Sequence, residues 1–212
     1  MTDGGPAPLA PLPVDRWSEA ARTILPRYLR RPELYLSGGA PMPQALGLLA
    51  HHVELGAAWL AFTDLLAGSA ATLAAGLREL AILRVAWRTG SDYEWTQHVR
   101  IGRHAGLTTA QLHAVPDGGA APGWTPLERL VLEAVDQVVD RAGVDPATWD
   151  ALAGHLDPAP LLELSFVIGA YLCFATVTNS VGLAADPPTE PVDAPRLPAP
   201  VGPGASPPLE RR

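Results

Sequence analysis

The sequence contains no lysine; all 15 of its basic residues are arginine. That excludes Schiff-base chemistry and a lysine general base. It has one cysteine, Cys173, set in an apolar run. No intrachain disulfide or thiolate metal site can form, and Cys173 reads as a small buried hydrophobe rather than a reactive thiol. It lacks a surplus of positive charge: the net charge is −7 and the pI about 5.3. A nucleic-acid surface needs clustered cations, so the charge balance argues against that class of partner. The first residues, MTDGGPAPLAPLPVDRW, hold neither a basic run nor a continuous apolar run, so a cytoplasmic location is the expectation. One uncharged stretch, residues 164–185, is long enough to cross a bilayer. It carries Ser165, Thr176, Thr178, Asn179 and Ser180 and no close flanking Arg, so it reads as a core helix or a subunit interface, not a membrane span.

No stretch alternates apolar and polar as a strand does. Hydrophobic residues make up 48% of the chain against 17% charged, enough for a substantial core. The expected fold is all-α, with about eight helices. Residues 1–13 read as a flexible N-terminus, 14–185 as the helical domain, and 186–212, with nine prolines, as a disordered or polyproline-II tail. Residues 31–44 read as loop, and His51-His52 as a break between two helices. Residues 116–123, PDGGAAPG, read as a mobile lid or hinge. Thr125-Pro126-Leu127-Glu128 forms a capping box with Pro at the first helical position. Asp145-Pro146 and Asp157-Pro158 open two further helices.

The stretch 78–107, RELAILRVAWRTGSDYEWTQHVRIGRHAGL, organises the rest. It reads as two helices joined by a tight turn at Arg88-Thr89-Gly90. The first sets Glu79 in an apolar face. The second places Glu94 and His98 four apart, on one face. An acid and an imidazole together, opposite a second acid, make a candidate proton-transfer site. Each has a bland alternative. Ser91 and Glu94 also have capping-box spacing, in which Glu94 would only satisfy the Ser91 N–H. Glu79 could pair with Arg84 or Arg88, and His98 could be a satisfied core histidine. His104, six residues on, points elsewhere. A metal site is not expected; its only ligands would be His98, Glu94 and Glu79.

The order Arg78-Glu79-Leu80, Ile82-Leu83-Arg84-Val85, Tyr93-Glu94-Trp95, His98 and Gly106-Leu107-Thr108 resembles the carboxymuconolactone decarboxylase family. The resemblance covers roughly residues 30–185 and is specific over 78–108. It implies the all-helical alkylhydroperoxidase-D-like fold, and assembly into a dimer, trimer or hexamer. The peroxidase branch of that fold carries a Cys-x-x-Cys, with a Glu twelve residues before and a His four after. Those positions here are Ser91 and Glu94, Glu79 and His98. A serine hydroxyl cannot perform thiol–disulfide exchange, so peroxidase chemistry is excluded. The Tyr-Glu-Trp-x-x-His form is similar to the decarboxylase branch.

That resemblance implies a cofactor-free acid–base enzyme acting on a small-molecule substrate. Decarboxylation, isomerisation, elimination or cyclisation of a small organic acid, lactone or enolisable carbonyl compound all fit it. Glu94 and His98 would move protons, with Glu79 as orienter. Arg84 would clamp a substrate carboxylate, and Tyr93, Trp95 and Ser91 would line the pocket. Burial among Tyr93, Trp95 and Trp87 would raise a carboxylate's pKa. The competing reading is a helical binding or scaffold protein that keeps the fold without the reaction. It predicts Glu94 engaged as a cap and no cavity beside His98.

Overall fold

A computed structural model describes residues 9–29, 31–187 and 192–198. Among them there are ten α-helices and no strand. The helices are α1 (Glu19–Ile24), α2 (Pro32–Leu36), α3 (Gln44–Leu49), α4 (Val53–Ala67), α5 (Ala75–Thr89), α6 (Asp92–His104), α7 (Thr109–Ala114), α8 (Pro126–Arg141), α9 (Pro146–Ala153) and α10 (Pro158–Val181). The all-α architecture agrees with the sequence reading. The short α2 falls in a stretch read as loop, where Pro32 supplies a helix-compatible first residue.

The architecture follows from α5. Every residue from Arg78 to Ala86 is buried, so this helix has no solvent face over more than two turns. It packs on α10, α8 and α6. One core layer joins Ile82 and Val85 to Val131 and Val135 of α8 and Leu164, Val167 and Ile168 of α10. A second joins Leu80 and Leu83 to Trp95 and Val99 of α6, Leu112 of α7 and Leu132 of α8. A smaller cluster around Trp17, Leu25 and Leu46 closes the N-terminal end.

The local signals act where the sequence placed them. Thr125 and Glu128 form the expected capping box that starts α8; a second box, Thr108 with Gln111, which the sequence reading did not single out, starts α7. Gly90 ends α5 at φ +65°, a left-handed conformation in which a side chain would be strained. It turns the chain so that α6 runs back against α5.

Several expectations are corrected. Residues 116–123 are not a free lid. They include a 3-10 turn, Val115–Ala120, whose Val115 and Pro116 carbonyls accept bonds of 2.7 and 2.8 Å from Arg84 Nη1. Trp124 Nε1 also donates to the Gly118 carbonyl at 3.0 Å. The described part of the N-terminal segment is tied down as well: the Leu12 N–H donates to Gly47 O, and Trp17 Nε1 donates to Leu12 O. Of the Pro-rich segment, residues 186–187 and 192–198 lie against the domain. Trp95 Nε1 donates to Pro195 O at 2.9 Å, and Val192, Ala194 and Leu197 join the second core layer. These apolar side chains, spaced through the prolines, give that stretch surface to bury. The expectations for residues 1–8, 188–191 and 199–212 concern positions outside the described residues. Cys173 is exposed, not buried. The long apolar α10 meets the length and hydropathy of a membrane span, yet it packs against α5, α4, α8 and α9.

Candidate active site

Helices α5 and α6 bring together the two acids and the imidazole. His98 Nδ1 lies 2.7 Å from Glu79 Oε2, and the second Glu79 oxygen faces Arg78 Nε at 3.5 Å. Both partners of the short contact are shielded from solvent. With Nδ1 engaged, Nε2 is the ring nitrogen left to work. The Tyr171 ring of α10 meets the imidazole edge to face, 4.9 Å between centroids, and fixes its plane. Glu79 is therefore not paired with Arg84 or Arg88.

Glu94 has a different environment. It is 1% exposed, and neither carboxyl oxygen has a hydrogen-bond partner. The capping-box alternative fails on two counts. The Ser91 N–H donates to Ala86 O at 2.9 Å, and no side-chain cap forms at the start of α6. Burial pushes the Glu94 carboxyl up to about 8. The neighbouring Ser91 hydroxyl exerts a smaller downward pull; it makes no hydrogen bond to Glu94 and instead faces Thr178 Oγ1 at 3.3 Å. A carboxyl held in this way is protonated at neutral pH and can act as an acid.

Glu94 and His98 both line a cavity of about 380 Å³ between α3, α4, α6 and α10, open to solvent on one side. Its walls are largely apolar and aromatic: Leu49, Trp59, Leu60, Tyr93, Tyr171 and Phe174. Trp59 and Phe174 stack at 5.3 Å, and Tyr93 meets Phe174 edge-on. Asp186 closes one side. It accepts from the Gln44 N–H and Gln97 Nε2, each at 2.9 Å, and from the Tyr93 hydroxyl at 3.4 Å. Burial raises its pKa, against the Gln44 and Tyr93 bonds and the Arg100 charge. Glu79 stands behind His98, outside the cavity wall. Among the described residues, no three His, Cys, Asp or Glu side chains are grouped to hold a metal ion.

Three expected pocket residues lie elsewhere. Arg84 cannot clamp a substrate: Nε and Nη2 bind Asp136 at 2.7 and 2.8 Å, and Nη1 holds the 3-10 turn. Arg88 shares the same Asp136 and also binds Asp140. Trp95 packs on Trp87 in the second core layer and borders another hollow of about 490 Å³, between α6 and residues 192–197. That hollow is larger, but no buried unpartnered polar group of the described residues lines it, whereas Glu94 lines the smaller one. Ser91 is fully buried against Thr178 and does not reach the wall. Conversely, sequence reasoning missed Tyr171, Phe174, Trp59, Gln97 and Asp186. Tyr171 and Phe174, three apart on α10, were the one available signal; nothing distinguishes Asp186 at the start of a Pro-rich stretch.

Comparison with solved structures places the fold. The chain is similar to the alkylhydroperoxidase AhpD core from Ralstonia eutropha JMP134, an uncharacterized peroxidase-related protein (TM-score 0.66, 21% identity, covering 84% of this chain and 93% of that one). It is similar also to an uncharacterized peroxidase-related protein from Silicibacter sp. TM1040 (TM-score 0.68, 16% identity, 88% and 96%). A third similar structure is the debrominase Bmp8, a Cys-to-Ala variant, in complex with 2,3,4-tribromopyrrole (TM-score 0.66, 14% identity, 87% and 94%). No curated protein matches the chain. The fold is thus that of the AhpD-like all-α proteins. Residues 54–137, from α4 into α8, match the Carboxymuconolactone decarboxylase family, which bears out the resemblance carried by the motif at 78–108.

Proposed function

We propose that the protein is a cofactor-free acid–base enzyme that moves protons on a small enolisable carbonyl compound. The observation that carries this reading is Glu94: a buried carboxyl with two unpartnered oxygens, in the wall of a cavity it shares with His98. Buried polar groups are normally satisfied, and leaving one bare costs about 1–3 kcal/mol. A site that tolerates this loss is one where a ligand supplies the missing bonds.

The roles divide by environment. His98, oriented through Nδ1 by Glu79, presents Nε2 as the base that takes a proton from carbon. Glu94, protonated at neutral pH, donates its proton to the carbonyl oxygen as the C–H bond breaks, giving a neutral enol. Return of a proton to a different carbon gives an isomer. Expulsion of a β-leaving group with its bonding electrons from that enol gives elimination. Loss of carbon dioxide in place of the proton, with Glu94 protonating the carbonyl oxygen that receives the C–C electron pair, forms the same enol by decarboxylation. The largely apolar and aromatic wall lowers the local polarity and strengthens each of these interactions. The family match and the debrominase among the similar structures support a catalytic role without fixing the reaction. The unsatisfied Glu94 also weighs against the scaffold reading, which needs it as a cap.

The test is turnover on a metabolite pool, followed by mass spectrometry for isomer formation or loss of carbon dioxide. Glu94→Gln and His98→Ala should each lose about 10²–10⁴-fold; full activity in both ends the proposal. We also propose a homo-oligomer. Along α10, Leu162 and Phe166 are 57% and 52% exposed, an apolar face suited to a second subunit. Phe166→Glu should lower the mass measured by light scattering to that of a monomer; an unchanged mass refutes this interface.

A further inference from the structure

The charge and hydrogen-bonding inventory of the cavity narrows what it can hold. Glu94 offers one acceptor oxygen and one hydroxyl donor, side by side and both bare. Several other polar groups of the wall are already engaged. His98 is bonded to Glu79, and Gln97 and Tyr93 to Asp186. Of the described arginines, Arg100 alone lines the cavity, and its charge acts on Asp186. Arg78 pairs with Glu79, while Arg84 and Arg88 are held on Asp136 and Asp140 outside the cavity. An anionic head at Glu94 would therefore meet the Asp186 carboxyl in the same wall, with the Glu79 carboxylate behind His98. The tyrosines report the same field. The Tyr171 hydroxyl is made less acidic by burial and then by Glu79 and Glu94, and that of Tyr93 by burial and then by Asp186.

We propose that the part of the substrate docking at Glu94 is uncharged and presents an amide-type edge, an N–H donor beside a carbonyl acceptor, as in a lactam, a cyclic imide or a primary amide. The N–H donates to the carboxyl oxygen and the carbonyl accepts the carboxyl O–H, so one planar group satisfies both bare atoms at once. The flat body of the ligand lies against Trp59, Tyr93, Tyr171 and Phe174. This inference rests on the reading of Glu94 as the acid of the site. It shifts the expected chemistry away from loss of a carboxylate held at Glu94, and toward isomerisation, elimination or cyclisation next to an amide carbonyl.

Three probes of matched size separate the alternatives: benzamide, benzoate and acetophenone. They share a phenyl ring and differ in whether they carry the paired donor and acceptor, a negative charge, or an acceptor alone. Dissociation constants come from isothermal titration of the full chain at pH 7. Benzamide should bind about 10-fold more tightly than either of the others, the value of one satisfied buried pair. Glu94→Gln keeps a donor beside an acceptor and should retain that preference. Glu94→Leu should abolish it. If benzoate or acetophenone binds as well as benzamide, if none of the three binds, or if Glu94→Leu keeps the preference, the proposal is overturned. These readings do not involve turnover. Full activity in Glu94→Gln and His98→Ala would remove the catalytic reading while leaving the binding preference intact, and a benzoate preference would do the reverse.

Discussion

Replacing Glu94 by Gln should stabilise the protein, and by an amount that grows with pH. In the unfolded chain the carboxyl ionises near 4.5; in the folded protein burial holds it protonated until about 8. The native state therefore binds the proton more tightly than the unfolded state does. Stability is unaffected below pH 4.5, falls as pH rises through the interval, and has lost its full amount above 8. At about 1.4 kcal/mol per pH unit, the interval is worth on the order of 5 kcal/mol, with about 1 kcal/mol lost by pH 5 and about 3 by pH 7. At 1% exposure there is little solvent to screen it. Glutamine matches the protonated acid in shape and never ionises, so its advantage over the wild type traces the same curve. For a domain of this size about 2–4 °C of melting temperature corresponds to 1 kcal/mol. The melting-temperature gap should widen from about 2–4 °C at pH 5 to about 10–20 °C at pH 9, read by calorimetry on both proteins in matched buffers. A gap that stays constant, or that closes as pH rises, refutes the burial argument. A gap that opens shows a residue kept at the expense of stability, as expected of a functional group.

Glu79→Gln should lower turnover about 10²-fold with little change in KM, because the imidazole loses the carboxylate that orients it. Unchanged turnover, or a loss carried wholly by KM, would refute the orienting role. Arg84→Ala should cost about 3 kcal/mol, or about 6–12 °C in melting temperature, because it strands part of Asp136 and frees the 3-10 turn. It should leave substrate affinity intact once folded; a selective rise in KM would return Arg84 to the site. Gly118→Ala should also destabilise, for two reasons. Gly118 has φ +63°, and an added Cβ would lie 2.6 Å from Arg84 Nη2. A variant as stable as the wild type in chemical denaturation would contradict both.

Most of the fold was legible because its signals are local. The capping box at Thr125, Pro after Asp145 and Asp157, and Gly90 at a helix end each act within a few residues. The pairing of Glu79 with His98 was legible for a similar reason: one tight turn separates their helices. Arg84 was misread because its partner, Asp136, lies 52 residues away on α8, and nothing in spacing connects the two. Ser91 and Glu94 have correct capping spacing, but Ala86 O captures the N–H that the cap would have used. The described Pro-rich segment was misread because composition records prolines and not the few side chains, such as Val192 and Leu197, that find a surface.

The residues proposed to handle protons and the cavity wall come from different parts of the chain. Glu79, Glu94 and His98 fall within twenty residues on α5 and α6, whereas Trp59 belongs to α4, Tyr171 and Phe174 to α10, and Asp186 to the segment beyond it. Substrate choice can then be retuned by changing side chains on the outer helices while the relay stays anchored to the most deeply packed rod of the protein. A library randomised at positions 59, 174 and 186 should yield altered selectivity without dismantling the reaction centre.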